Sequence, residues 1–532
     1  MTKLVLLVII ITNVMYAKAL PNIIVLFADD LGYSDNSLMH PTIETPHLES
    51  FFLDSMRFTQ WYSAFHICSP SRAAMLTGRL PIRVGISGGY TGGVFSSTAA
   101  GGLPENEITW AAMLKKKSYK TAMVGKWHLG QRPQFLPTRH GFDSYFGIPY
   151  SVDMGNSAWH NTASNQPPLP LLANETIIEQ PVNLNTLSQR YATAAQSFIS
   201  QNKQESFALY FAFSHVHVPN FVSSAFCNRT TRGRFGDALL ELDWTLGQVL
   251  ESVPASIRNN TITFFTSDNG PWLIQQLSAG SAGNFFEGKT TTWEGGIRMP
   301  AAIHWPGTIQ PGTISRHIVA TYDVFATILA LTNIDLPTDR IIDGRDLTPI
   351  LRDPKNAHEI RDCIFIYKGT PNINCPLSSS SCPGLWAVRC GKHKAHFAIS
   401  YSQQSCEGSH PIANASTTYQ DLSDSPLIYD LDADPSEKWP LNANSDDYTQ
   451  ALNTILIAKA YHEAHVIPVV DQISLGSNST YALCCDPYAT DVSNCTCNPE
   501  NFNVFVCSPV YPTPTVSLEA DAFESIYGYR PW

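Results

Sequence analysis

Little of this sequence is charged: Asp, Glu, Lys and Arg make up 15% of its 532 residues, well below the usual share. With 44% hydrophobic and 11% aromatic residues, such a chain shows no sign of disorder and can bury a large core. A run of about eighteen uninterrupted apolar residues, the least that a spanning helix needs, occurs nowhere beyond the first twenty. Internal repeats and low-complexity tracts are missing too. An excess of positive charge is missing as well: the formal net charge is −11, which makes nucleic acid a poor partner. An anionic substrate would need a local cationic pocket to overcome that field. Cysteine is scarce in the first two-thirds, where only Cys68 and Cys227 precede Cys363.

The first nineteen residues read as a secretory signal, with Lys3, an apolar Leu4–Ile11 run and the small-x-small site Ala17-Lys18-Ala19. Six sequons, at Asn174, Asn228, Asn259, Asn414, Asn478 and Asn494, point to glycosylated surface loops and the oxidising secretory route. Ten of the twelve cysteines fall between Cys363 and Cys507, which reads as a disulfide framework. A zinc site is the alternative, but no His lies between Cys484 and Cys507. The length suits two domains at about 150 or more residues each: 20–355, then a smaller, antiparallel, disulfide-braced unit over 356–532.

Through the first of these, short apolar runs alternate with helical segments, the mark of an α/β fold with a mostly parallel sheet between helices. Helices are expected over 109–117, 186–200 and 236–253. Four buried-looking runs end directly on polar clusters. Asn22–Ala28 leads into Asp29-Asp30, Thr121–Val124 into Gly125-Lys126-Trp127-His128, Phe207–Phe213 into Ser214-His215-Val216-His217, and Thr261–Thr266 into Ser267-Asp268-Asn269. Open α/β sheets bind ligands beyond the carboxyl ends of their strands. If the four strands are parallel neighbours, the clusters meet at one site. Asp29, Asp30, Asp268 and Asn269 offer only oxygen ligands, which suits a hard cation and Ca²⁺ better than Mg²⁺. A single Asp-Asp pair would more often cap a helix; two clusters argue for the metal.

The sharpest motif is CSPSRAAMLTGR at 68–79. Ser69 as a cap and Pro70 in the first turn would place Cys68 at a helix start, where anions are favoured, with Arg72 one turn along. The segment resembles the signature of the type I sulfatases, whose cysteine is oxidised to formylglycine. GKWHLG (125–130), HVHVP (215–219), SDNGP (267–271) and GKTTTWEGG (288–296) follow in family order. GGLPENE (101–107), GIPYS (147–151) and LPLLAN (169–174) are similar to its arylsulfatase A branch, with the N-acetylgalactosamine-6-sulfatase branch nearby.

The resemblance implies an alkaline phosphatase-like sheet and hydrolysis of sulfate monoesters on a glycolipid or glycan. It further implies a formylglycine-generating enzyme as a biosynthetic partner, one Ca²⁺ per chain held by Asp29, Asp30, position 68, Asp268 and Asn269, and a lysosomal or extracellular address. A homo-oligomer is compatible with it. In the family mechanism the hydrated formylglycine attacks sulfur. Arg72, Lys126 and Lys289 neutralise the sulfate, Ser151 helps hold it, His217 with Lys289 assists the leaving alcohol, and His128 helps expel sulfate. Alternation does not choose between His215 and His217; the resemblance favours His217 and leaves His215 to packing. Arg79 either supports the nucleophile's helix or forms an ordinary ion pair.

Two departures rim the pocket: no cysteine lies between Ser151 and Asn174, and Phe285-Phe286-Glu287 precedes Gly288-Lys289. Two other readings compete. A phosphoester hydrolase on the same sheet would commonly use Ser or Thr as nucleophile, and a non-catalytic sulfatase-like glycoprotein would have lost site residues. Cysteine parity adds an expectation: eleven cysteines besides Cys68 cannot all pair within one chain, and isolated Cys227 is the candidate odd thiol.

Overall fold

A computed structural model describes residues 20–89, 93–155, 166–371, 382–401 and 419–485. The expected leader at 1–19 and the sequons at Asn414 and Asn494 lie outside them. The NIIVLFA run forms β1 (Asn22–Ala28), buried at every residue. Its alternate side chains feed two cores: Ile23, Val25 and Phe27 pack on one face, Ile24, Leu26 and Ala28 on the other. That is why the run shows no polar alternation.

β2 (Met56–Tyr62), β3 (Lys120–Gly125), β4 (Ser144–Gly147), β5 (Leu171–Ala173), β6 (Thr176–Glu179), β7 (Phe207–Ala212), β8 (Thr261–Ser267), β9 (Arg298–His304), β10 (Ile314–Ser315) and β11 (Val319–Ala320) complete an eleven-stranded sheet. Its order is β10-β2-β9-β8-β1-β7-β3-β4-β5-β6, with β11 also on β2. From β8 to β4 every pairing is parallel, whereas β9, β5 and β6 run antiparallel to their neighbours. The four strands that end on polar clusters are therefore adjacent and parallel.

Helices Pro46–Leu53, Leu187–Asn202 and Gly233–Glu251 cover one face. Cys68–Thr77, Trp110–Leu114 and Asp323–Leu331 cover the other. The expected helices are present with shifted ends; Thr109 caps its own by accepting from Ala112 N at 3.1 Å. The capping expected of Ser69 is corrected. The helix begins at Cys68 after Ile67, without a side-chain cap, and the Ser69 hydroxyl instead accepts from Phe95 N at 3.3 Å.

The second sheet runs β12 (Cys363–Lys368), β13 (Gly384–Cys390), β14 (His393–His396) and β17 (Leu427–Asp430), all antiparallel, with β15 (Ala398–Ile399) and β16 (Gln420–Asp421) as a separate ladder. Tyr448, Ala451 and Ile455 of helix Asp446–His465 pack on it. It is joined to the main body by paired buried charges. Lys394 Nζ lies 3.0 Å from Glu294 and 2.9 Å from Glu437. Glu437 also accepts from His396 Nε2 and from Glu294 N, each at 2.7 Å. Buried charges are tolerated when so paired.

Cys363 and Cys390 face each other across β12 and β13 in a disulfide, and Cys382, Cys484 and Cys485 are disulfide-bonded too. The choice of Cys227 as the odd thiol is corrected, because it is also disulfide-bonded, and Cys68 is the free cysteine among the described residues. Sequence isolation misled there: distance along the chain says nothing about distance in space. On labelling denatured, unreduced protein with a thiol reagent, Cys227 is expected to stay unlabelled; peptide mapping that finds label on it would contradict the bridge.

Candidate active site

β1, β3, β7 and β8 deliver their polar ends to one point. Gly125, at φ +109°, ends β3 where a Cβ would stand 1.8 Å from Ala212 O, so only glycine lets the chain turn there. The turn sends Lys126 inward. Asp30, His128, Glu287 and Thr290 all adopt positive φ, and such strain in non-glycine residues gathers at functional sites.

Cys68 lies at the centre, 1% exposed. Its Sγ is 3.6 Å from Asp29 Oδ1, 3.7 Å from Lys126 Nζ and 3.5 Å from Lys289 Nζ. Burial, then Asp268, pushes the thiol up despite the two lysines, and a protonated thiol is a weak nucleophile. Arg72 and Lys126 are 0% exposed and Lys289 6%, so none is an ordinary surface cation. Arg72 donates to Asp268 Oδ2 from Nη2 at 2.7 Å and from Nε at 3.1 Å, and its Nη2 lies 3.2 Å from Asp29 Oδ1. Lys126 holds Asp29 at 2.7 Å and donates to Ser151 Oγ at 3.2 Å. Lys289 holds both oxygens of Asp30 at 2.6 and 2.8 Å. Burial alone would raise Asp29, but Lys126, His217 and Arg72 outweigh it and hold the carboxyl well below its ordinary range. Burial raises Asp268 despite Arg72.

The two histidines carry opposite proton placements. His217 Nδ1 donates to Val218 O at 2.8 Å, leaving Nε2 toward the site, 3.6 Å from Asp30. His128 Nε2 donates to Phe95 O at 3.0 Å, and its buried Nδ1 has no partner. Burial, aided by Lys126 and Arg72, pushes His128 well down, so its ring is neutral with a free lone pair. His215 is structural, donating from Nε2 to Phe221 O at 2.8 Å. Arg79 forms an ion pair with Glu107 at 3.3 Å. Asp153 was missed from sequence: it accepts from Ser151, and the charges of His217, Lys126 and Lys289 together hold its carboxyl down against burial. Its only signal was a position two residues beyond Ser151.

Asp29, Asp30, Cys68 and His217 bring ligand atoms within 4.8 Å of one another. Asn269 donates to Asp30 Oδ1 at 2.8 Å, and its own buried Oδ1 is unpartnered. Asp268 Oδ1 accepts from Asp30 N at 3.2 Å. A ring of buried oxygens with one orphaned carbonyl fits a divalent cation. Three carboxylates face three fixed cations, so a divalent ion would leave the pocket positive and receptive to an anion despite the acidic surface.

The family model described as Sulfatase matches residues 21–334, and that for the C-terminal region of aryl-sulfatase matches 359–497. The chain belongs to the sulfatase family and is a sulfatase, a hydrolase of sulfuric esters. Arylsulfatase A of Bos taurus is 37% identical over 507 residues, covering 91% of this chain and 96% of that protein. N-acetylgalactosamine-6-sulfatase of Rattus norvegicus is 36% identical over 509 residues, covering 90% and 92%. A sulfatase structure from Pseudoalteromonas sp. superposes with a TM-score of 0.69 at 26% identity, over 83% of this chain and 90% of that one.

Proposed function

We propose that this sulfatase is an arylsulfatase acting on the sulfate ester of a glycolipid or glycan, with position 68 as its nucleophile and Ca²⁺ as its metal. The observation that carries the reading is Cys68 at a helix start, enclosed by two lysine ammoniums and a set of buried oxygen ligands. Converted to formylglycine by a dedicated generating enzyme, position 68 would supply a hydrated aldehyde oxygen as nucleophile, and Ca²⁺ bound by Asp29, Asp30, Asp268 and Asn269 would acidify it and screen the sulfate. Lys126, Lys289 and Arg72 bind and neutralise sulfate oxygens, the fixed charges that electrostatic catalysis uses. Ser151 stays oriented by Lys126. With Nδ1–H fixed by Val218 O, an imidazolium at His217 would present its Nε2–H to the leaving alcohol, and Lys289 lies beside it, so a proton can be delivered there. His128 offers the lone pair of Nδ1 as a proton acceptor, held in that tautomer by Phe95 O.

The similarity to arylsulfatase A and N-acetylgalactosamine-6-sulfatase supports a sulfated sugar as the natural ester. The test is sulfate release from an aromatic sulfate, a sulfated galactolipid and sulfated glycosaminoglycan fragments, beside Cys68→Ala. No release from any of them would overturn the reading.

Removing the metal gives a separate readout. Chelation is expected to lower the melting midpoint and abolish turnover, with Ca²⁺ restoring both better than Mg²⁺. Binding at a hundredfold over Kd would stabilise the fold by about 2.7 kcal/mol; a melting curve indifferent to chelator and Ca²⁺ contradicts the assignment.

The catalytic unit spans 20–355 and the smaller unit 356–532 in this reading. Exposure of Asn174, Asn228, Asn259 and Asn478 supports glycosylation and a secretory route to the lysosome or the exterior. Among the described residues no helix is long and apolar enough to cross a membrane.

A further inference from the structure

We propose that Lys368 is the cationic centre of a second anion subsite beside the sulfate pocket, selecting sugars that carry another carboxylate or sulfate group near the scissile ester. The proposal rests on the sulfatase reading and narrows its substrate class.

Each of the three cations around Cys68 is matched to a carboxylate: Arg72 to Asp268, Lys126 to Asp29 and Lys289 to Asp30. Lys368 is not. At the end of β12, partly buried, its Nζ donates to Ser400 Oγ at 2.6 Å and lies 4.6 Å from the centre of the Trp386 ring. No carboxylate among the described residues comes within ion-pair distance of it. Withdrawing an ammonium from water without a counter-charge is costly, and a neutral hydroxyl and a ring face offset only part of that cost. An anionic ligand would complete the balance.

The position suits a substrate. Ser400 O accepts from Trp293 Nε1 at 3.1 Å, and Trp293 packs against Phe286 at 5.0 Å between centroids, on the turn that bears Lys289. Two residues past Lys368, Thr370 N donates to Gly89 O at 3.0 Å and Thr370 Oγ1 meets Ser87 Oγ at 2.7 Å. Lys368 therefore stands where the second sheet meets the turn that bears Lys289. The Lys289 turn closes onto the nucleophile's approach, with Thr290 N donating to His66 O at 3.0 Å. Burial pushes Lys368 down to about 8 while Glu287 opposes, so it remains an ammonium at neutral and acidic pH.

Carboxylate and sulfate ester present the same anionic oxygens, so the two sources are separated by substrate choice. Three saccharides with the same scissile ester are compared: a neutral monosulfated N-acetylhexosamine, the same sugar with a second sulfate, and the same sugar linked to a uronic acid. Wild type is expected to favour at least one acidic substrate in kcat/KM by about tenfold to a hundredfold, the range of a charge-assisted contact. Lys368→Met should lose that preference and Lys368→Arg retain it; which substrate is favoured identifies the anion.

A wild type indifferent to the extra anion, or a Lys368→Met enzyme that keeps the preference, overturns the subsite. Should the Met variant not fold, the wild-type comparison decides. Cleavage of the neutral ester without preference sinks the subsite alone; cleavage of none of the three, with an aromatic sulfate also left intact, sinks the proposed arylsulfatase function with it.

Discussion

Cys68→Ala is expected to abolish sulfate release, by at least about 10⁴-fold, the scale on which removing a covalent nucleophile acts. The fold should survive. The side chain is enclosed, and deleting one sulfur from a core site costs about 1–2 kcal/mol at most. The residue's surroundings are polar and charged, so the lost contacts are with Asp29, Lys126 and Lys289 rather than with packed hydrocarbon. Initial rates on an aromatic sulfate and a thermal melt of the same preparation check both halves. An alanine variant retaining a tenth of wild-type turnover would show that another group attacks sulfur. Peptide mass analysis of active wild type should find an aldehyde at position 68; an intact thiol in fully active enzyme would refute formylglycine directly.

Arg72→Met is expected to have the second largest effect, and on stability as well as rate. The guanidinium is 0% exposed and binds Asp268, Asp29 and the Lys126 carbonyl at 3.2 Å. Methionine fills comparable volume but strands the buried Asp268 carboxylate and leaves Asp29 to Lys126 alone, a loss of about 3–5 kcal/mol for one partner of a buried pair. Denaturant midpoints should fall accordingly, and kcat by about 10²–10³ for a lost electrostatic donor. Arg72→Lys should recover part of the stability, since the charge remains while the planar fork does not. A Met variant that melts with wild type would mean that Arg72 does not neutralise Asp29 and Asp268.

Much of this site was legible in sequence because strand ends are. A short, largely apolar run rich in β-branched and aromatic residues, such as Asn22–Ala28 or Thr261–Thr266, fits a strand in a sheet covered on both faces, which puts the residues just past it at the sheet's edge. Asp29-Asp30 and Asp268-Asn269 could be assigned to one place on that argument. The Cys68 motif added its own specificity. What stayed illegible concerns contacts between distant segments. Nothing in the local sequence marks Glu437 as a partner of Lys394, His396 and Glu294, or Lys368 as a neighbour of the Lys289 turn. Ser69 is no cap because the helix already begins one residue before it, at Cys68, and its hydroxyl accepts from Phe95 N instead. His215 and His217 could not be ranked by alternation because residues two apart share one face of a strand, and β7 ends before them at Ala212.

By itself the sequence determined the α/β class and which polar residues stand at the ends of the buried strands, because hydrophobic periodicity and residue chemistry are local and survive without coordinates. Only the tertiary structure decided which carboxylate each buried cation holds, which histidine nitrogen is free, and that Cys227 is bridged. Those are properties of pairs, and pairing depends on distances between segments up to hundreds of residues apart that no local pattern encodes.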